Sequence, residues 1–209
     1  MKVTLIRHTV DPEQLCGEAA ALCYNGKNPA KSLKVAMDGG HESVLEHTTF
    51  TFLIEDVSRV LLAQMTRHRL ASFSVQSQRY CGADPMDVVI PQTIIDKRFL
   101  GSINALLRHA NDVYQAMVQE GVPEEDARYF TFQAGKTRKI VTMNARELRH
   151  FFSLRCCNRA QWEIRELANE MLRQCKEVAP MLFANAGAGC VRGACPEGAK
   201  SCGKGKAKG

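Results

Sequence analysis

Several familiar signatures are missing from this 209-residue chain, and each absence closes a class of function. No glycine-rich G-x-G-x-x-G follows a strand, and no G-x-x-x-x-G-K-[ST] occurs, so neither common phosphate-binding loop is present. No stretch approaches the roughly 18 consecutive apolar residues of a membrane span. The opening "MKVTLIRHTV" is cut short by Arg7 and His8 and does not read as a secretory signal; the expected location is the cytoplasm, with no membrane partner. There is no internal repeat and no C-x2-C pair. A continuous basic stripe is also lacking. The formal charge is +6, but Arg192, Lys200, Lys204, Lys206 and Lys208 against Glu197 leave the rest of the chain nearly neutral. That balance suits small anionic ligands better than a long polyanion, so no specific nucleic acid is expected.

What is present is an ordinary globular composition, 45% hydrophobic and 24% charged. "KVTLI" reads as a first strand, and Asp11-Pro12-Glu13-Gln14 as a helix start with Asp11 as N-cap and Gln14 reaching back. Ser43-x-x-Glu46 has the form of a capping box, ahead of a strand over residues 48–55. Asp56 is expected to open a helix that runs to about Arg67. Residues 88–91 read as a short strand. Over 96–120 Phe99, Leu100, Ile103, Leu106, Leu107, Ala110, Val113, Tyr114, Met117 and Val118 recur at helical spacing, and Gly121 closes the run. A short helix follows Pro123, a strand covers 139–143, and Asn144-x-x-Glu147 caps a helix to about Leu154. A last helix spans 160–178 with Ile164, Leu167, Ala168, Met171, Leu172 and Cys175 inward. The pattern mixes strands and helices, an α+β or α/β domain over residues 1–185. Residues 186–209 form a Cys/Gly/Lys-rich tail, disordered or stapled by metal.

One stretch stands out: "RHRLASFSVQSQRY", residues 67–80. Arg67 and Arg69 flank His68 where a helix should end, and hydroxyls and amides follow before Arg79-Tyr80. A guanidinium is a planar fork of donors that matches phosphate oxygens in pairs. The array is a candidate anion site, and a polar loop is the plainer alternative.

Arg67-His68-Arg69, seven residues and Ser77 resemble the R-H-R-x7-S signature of the flavin-dependent thymidylate synthases. "GHESVLEH" (40–47), "VTMNAREL" (141–148) and "LRCCNRAQWEI" (154–164) resemble three further segments of that family in the same order. The resemblance implies a single α+β domain whose mixed or antiparallel sheet is packed by long helices. It implies reductive methylation of dUMP to dTMP, with 5,10-methylenetetrahydrofolate as carbon donor and FAD reduced by NADPH, in a homotetramer with shared sites. Carried over by position, His41, Ser43, Arg67, His68, Arg69, Asn144, Arg146 and His150 are cofactor-binding. Gln64, Arg67, Ser77, Arg79, Arg128 and Arg155 bind the nucleotide, with Arg155 also the catalytic group that polarises the uracil ring. The family holds FAD without a dinucleotide fold, which agrees with the missing glycine-rich loop. Two positions depart from its pattern: Val75, where a polar side chain is usual, and Thr131-Phe132-Gln133 within "YFTFQAG", where L-P-N is usual. A flavin-free nucleotide- or RNA-binding protein using the same basic loop is the rival reading.

Nine cysteines are present, and a reduced state is expected for them in the cytoplasm. Cys16, Cys23 and Cys175 fall at apolar helix positions, Trp162 reads as core, and Cys81 as core or as a support behind the site. Cys190, Cys195 and Cys202 lie in the tail and, with Cys157 or its neighbour Cys156, make a candidate four-thiolate zinc set; a reduced, unligated tail is the competing account.

Overall fold

The computed structural model describes residues 1–205; Lys206 and Lys208, counted in the tail charge, lie outside the described residues. In chain order the elements are β1 (Lys2–His8), α1 (Pro12–Cys23), α2 (Pro29–Asp38), a 3-10 turn (Glu42–His47), β2 (Thr49–Ser58) and α3 (Arg59–Met65). Then come β3 (Ala71–Val75), α4 (Gln92–Asp96), α5 (Leu100–Gln119), α6 (Glu124–Ala127), β4 (Lys136–Asn144), α7 (Ala145–Arg155), α8 (Trp162–Val178) and α9 (Pro180–Phe183). The sheet is antiparallel with strand order β1-β2-β4-β3, so the fold is α+β. Two compact units emerge: a first of Met1–Lys2, Ile54–Met65 and Ser74–Lys139, and a second of Val3–Leu53, Thr66–Phe73 and Ile140–Gly209, described here through 205.

The second unit owes its core to two helices and a knot of rings. On α8 all six residues expected inward are buried, as a 3.6-residue period on one apolar stripe requires. Gln161 caps this helix, its side-chain oxygen accepting from the amides of Glu163 and Ile164. Phe50, Phe151, Phe152 and Phe183 are fully buried. They meet edge to face, with centroids 5.3 Å apart for Phe50–Phe183 and 6.0 Å for Phe152–Phe183, the geometry ring quadrupoles favour. Register within the unit is fixed by paired hydroxyls of Thr51 and Thr142, 2.9 Å apart, and by the Ala145 amide donating to the Thr48 carbonyl.

The first unit is thinner. Only Leu107 and Tyr114 of α5 are buried, while Phe99, just ahead of it, is 59% exposed and Leu106 on it 49%. The Tyr114 hydroxyl accepts from the Ala83 amide. Gly121 ends the helix at φ 85, a left-handed turn that suits a residue without Cβ.

Several sequence expectations are corrected. Asp11 does precede α1, but in a left-handed conformation with no cap bond, and Gln14 donates to Glu18 instead of reaching back. Ser43-x-x-Glu46 makes no capping box, because residues 42–47 wind as a 3-10 turn with no side-chain cap. Asp56 stays within β2 at φ 56, and α3 begins only at Arg59. The segment 88–91 is reduced to one bridge between Val88 and Gly135. Trp162 is 39% exposed, and Cys23 and Cys81 are exposed. Both α2 and β3 went unanticipated.

Candidate active site

Asn144 is where a strand becomes a helix. Its side-chain oxygen accepts from the Glu147 amide at 2.8 Å, so it caps α7 as Asn-x-x-Glu predicted. The cap aims the first turns of α7 into a cavity of about 600 Å³ in the second unit, lined by Glu42, Glu46, Leu70, Asn144, Arg146, Glu147, His150 and Arg192. Arg146 is ion-paired with Glu46. Glu42 accepts from Arg149 at 3.0 Å and from Arg192 at 2.9 Å. Glu42 and Glu46 thus face cations, and Glu147 faces an imidazole, so the cavity offers paired guanidinium groups, an amide and His150 to an incoming anion.

Of the expected cofactor residues, this cavity brings together Asn144, Arg146 and His150. His41, Ser43, Arg67 and Arg69 are exposed and do not line it; the His41 ring lies 6.0 Å from that of Tyr24. His68 is also outside the lining, for a different reason. It is 4% exposed, its ring edge-on to Phe151 at 4.9 Å. Its Nε2 accepts from Arg155 Nε at 3.2 Å, which puts the proton on Nδ1, donated to Glu147 at 2.9 Å. Burial pushes the His68 pKa below 6.5, Glu147 opposes that shift and Arg155 adds to it. A neutral imidazole with one fixed tautomer results. Glu147, His68 and Arg155 therefore form a relay of three hydrogen-bonding groups that aims the guanidinium ending α7. Burial, and the nearby Arg67 charge, lower the pKa of Arg155, yet a guanidinium remains charged.

Two of the expected nucleotide residues of the first unit, Arg79 and Arg128, meet at Glu125. Arg79 pairs with the Glu125 carboxylate at 2.6 Å, and Arg128 Nε donates to the Glu125 carbonyl at 3.0 Å. Arg59 lies near Arg128, whose charge adds to burial in lowering the Arg59 pKa; its Nη1 is buried with no hydrogen-bond partner among the described residues. Ser77 holds the turn before Arg79 through its hydroxyl, which accepts the Arg79 amide at 3.1 Å. Gln64 lies on α3, half-buried. Val75 ends β3, and Thr131-Phe132-Gln133 forms a turn in which Thr131 donates to the Arg128 carbonyl.

Sequence reasoning missed Glu42, Glu46, Glu147, Glu125, Arg59 and Arg192. The first three stand inside the quoted motifs as the acids beside His41, His47 and Arg146, and that adjacency was the available signal. Arg192 had none, being one cation in a basic tail.

The tail thiols make contacts of their own. Cys157 Sγ accepts from the Arg159 amide and Cys202 Sγ from the Asn158 side chain, each at 3.5 Å. Burial pushes the Cys156 thiol up to about 12, which removes it as a ready thiolate. Among the described residues no group of three or more His, Cys, Asp or Glu side chains could hold a metal ion. No helix among them is long and apolar enough to cross a membrane.

Comparison with known proteins speaks to family and fold. The family model of the thymidylate synthase complementing protein matches residues 4–181. The flavin-dependent thymidylate synthase of Geobacter sulfurreducens is 48% identical, over 98% of this chain and 94% of the relative. That of Clostridium tetani is 43% identical over the same shares. The crystal structure of the Helicobacter pylori flavin-dependent thymidylate synthase, complexed with FAD and dUMP, superposes with a TM-score of 0.73 at 24% identity, covering 90% of this chain and all of that one; at that identity it speaks to the fold. Matched along nearly its whole length, the chain belongs to the flavin-dependent thymidylate synthase family.

Proposed function

We propose that this enzyme makes dTMP from dUMP, taking the carbon from 5,10-methylenetetrahydrofolate and the reducing equivalents from NADPH by way of FAD. One observation carries the reading: the Glu147–His68–Arg155 relay, which joins His68 of the Arg67-His68-Arg69 motif to two groups on α7, 79 and 87 positions along the chain. The donors around the second unit's cavity fit an anionic cofactor with a flat ring. Asn144, Arg146 and His150 would hold FAD there, with Arg67, Arg69, His41 and Ser43 as further contacts. Bound FAD supplies hydride chemistry. Gln64, Ser77, Arg79 and Arg128 would bind the nucleotide, Arg79 and Arg128 exchanging Glu125 for phosphate. Arg155, fixed by His68, would place positive charge against the uracil carbonyls and stabilise negative charge spread over the ring. His68 stays neutral in this scheme and acts as a hydrogen-bonded spacer.

A homotetramer belongs to the same proposal, supported by the exposed apolar residues of α5, Leu106 and Val113 among them, which a second copy would cover. Zinc is left out of it, since among the described residues no group of three or more His, Cys, Asp or Glu side chains is placed to hold a metal ion. A flavin-free nucleotide- or RNA-binding role is not favoured, given the match over residues 4–181. The test is anaerobic incubation of the purified chain with dUMP, methylenetetrahydrofolate and NADPH. dTMP is the expected product; a colourless protein that takes up no FAD and forms none would end the proposal.

A further inference from the structure

Arg192 lies beyond residues 4–181, the span that the family model matches, yet its side chain lines the cavity assigned above to FAD. The segment that carries it folds back onto α7. Gly189 opens a 3-10 turn over residues 189–192, and a Cβ there would stand 2.9 Å from the Pro196 ring and 3.8 Å from the Ser153 carbonyl of α7. Farther along, Asn158 donates to Cys202. A Cβ at Gly205 would stand 3.0 Å and 3.4 Å from the Cβ atoms of Cys190 and Cys195. The turn is thus held close on both sides, and Arg192 emerges from it toward Glu42.

Glu42 has two arginines on one oxygen, and they are unequal. Arg149 is 4% exposed at its side chain and also donates to the Leu182 carbonyl, so it is fixed. Arg192 is 37% exposed and donates to Glu42 at 2.9 Å. Removing Arg192 from Glu42 leaves that carboxylate still neutralised by Arg149, so the exposed guanidinium can change partners without stranding a half-buried charge. A phosphoryl group offers it the better match, two oxygens spaced for a planar fork.

We propose that Arg192 is a further cofactor-binding residue, parked on Glu42 and transferred to a phosphoryl oxygen when FAD enters the cavity. The proposal rests on the cofactor reading of that cavity. Its test is titration of the flavin-stripped full chain with FAD and with riboflavin, which lacks phosphate, followed by flavin fluorescence. Arg192→Ala is expected to weaken FAD binding about tenfold, the loss of one charge-assisted hydrogen bond, and to leave riboflavin within about twofold, since no phosphate contact is lost. Arg192→Lys should restore most of the FAD affinity as a point charge. A dUMP titration of Arg192→Ala should match the wild type. Equal weakening of FAD and riboflavin would mark a folding defect and overturn the assignment, as would a loss confined to dUMP. Arg146→Ala separates the two readings. If it releases FAD while Arg192→Ala does not, the Arg192 assignment alone fails; if neither variant moves FAD, the cavity is not the cofactor site and both readings fall.

Discussion

The two units hold their arginines in different ways. In the second, two guanidinium groups sit in buried surroundings, Arg155 on His68 and Glu147 at 3% and 7% side-chain exposure and Arg149 beneath Glu42, while the Arg146–Glu46 pair there is half-exposed. In the first, Arg79 and Glu125 form a pair about half-exposed on both sides, in a unit whose longest helix buries two side chains. A pair open to water is screened and contributes little, about 1 kcal/mol or less, whereas a buried network holds its geometry against thermal motion. The Arg155 end of α7 is thus built in advance of its ligand. The proposed nucleotide side is left adjustable, with Arg79 able to exchange the Glu125 carboxylate for a phosphate at small cost.

The largest effect expected from this contrast is at Arg155. Arg155→Ala should keep FAD nearly as tightly as the wild type yet lower dTMP formation by about 10²-fold or more, the usual cost of removing one donor to a developing negative charge. Equal loss of bound flavin and of turnover would refute the separation. Leu106→Glu places a charge on the exposed face of α5 and is expected to reduce the assembly to a smaller species by light scattering; an unchanged mass would show that this face covers nothing.

The buried network itself is tested by Glu147→Ala. It strands the His68 Nδ1 proton and should cost roughly 1–3 kcal/mol in urea unfolding, with Glu147→Gln recovering part of this through its amide oxygen. Acid should act on the same network. Folded His68 takes up its proton at a lower pH than the unfolded chain does. Between the two values the unfolded state binds more protons, so stability falls as the pH drops below 6.5 and levels off below the folded value. His68→Asn should flatten that slope; a slope that stays unchanged would place the titration elsewhere. Least affected should be Glu125→Ala, at about 1 kcal/mol or less of stability and with Arg79 freed for the nucleotide. A large stability loss there would mean that the first unit is not built as described.

Strong periodicity made α8 legible, since all six inward positions obey one stripe, and local chemistry made the Asn144 cap legible. Residues 67–80 were readable as an array of donors, although β3 within them was not. Its five residues alternate only half-buried positions, too weak a contrast to register as a strand. The helix α2 escaped notice because Leu33 and Ala36 alone are buried on it. Ser43 and Asp56 misled for a shared reason: both residue types favour helix starts locally, and the surrounding chain imposed a 3-10 turn at one and continued strand at the other. Within the site, motif arginines were visible one by one, but their carboxylate partners come from distant segments, Glu42 being 107 positions from Arg149, and no local rule links them.

The helix α7 begins at the cap that faces the cavity and ends at Arg155, eleven residues on, a span of about 16 Å at the usual rise per residue. It works as a ruler between the two halves of the chemistry. Adding or deleting one residue within it would swing its far end by about 100°, given 3.6 residues per turn, and carry Arg155 off His68 while the near end kept its grip. The length of this helix, more than any single side chain on it, is therefore what an insertion cannot be allowed to change.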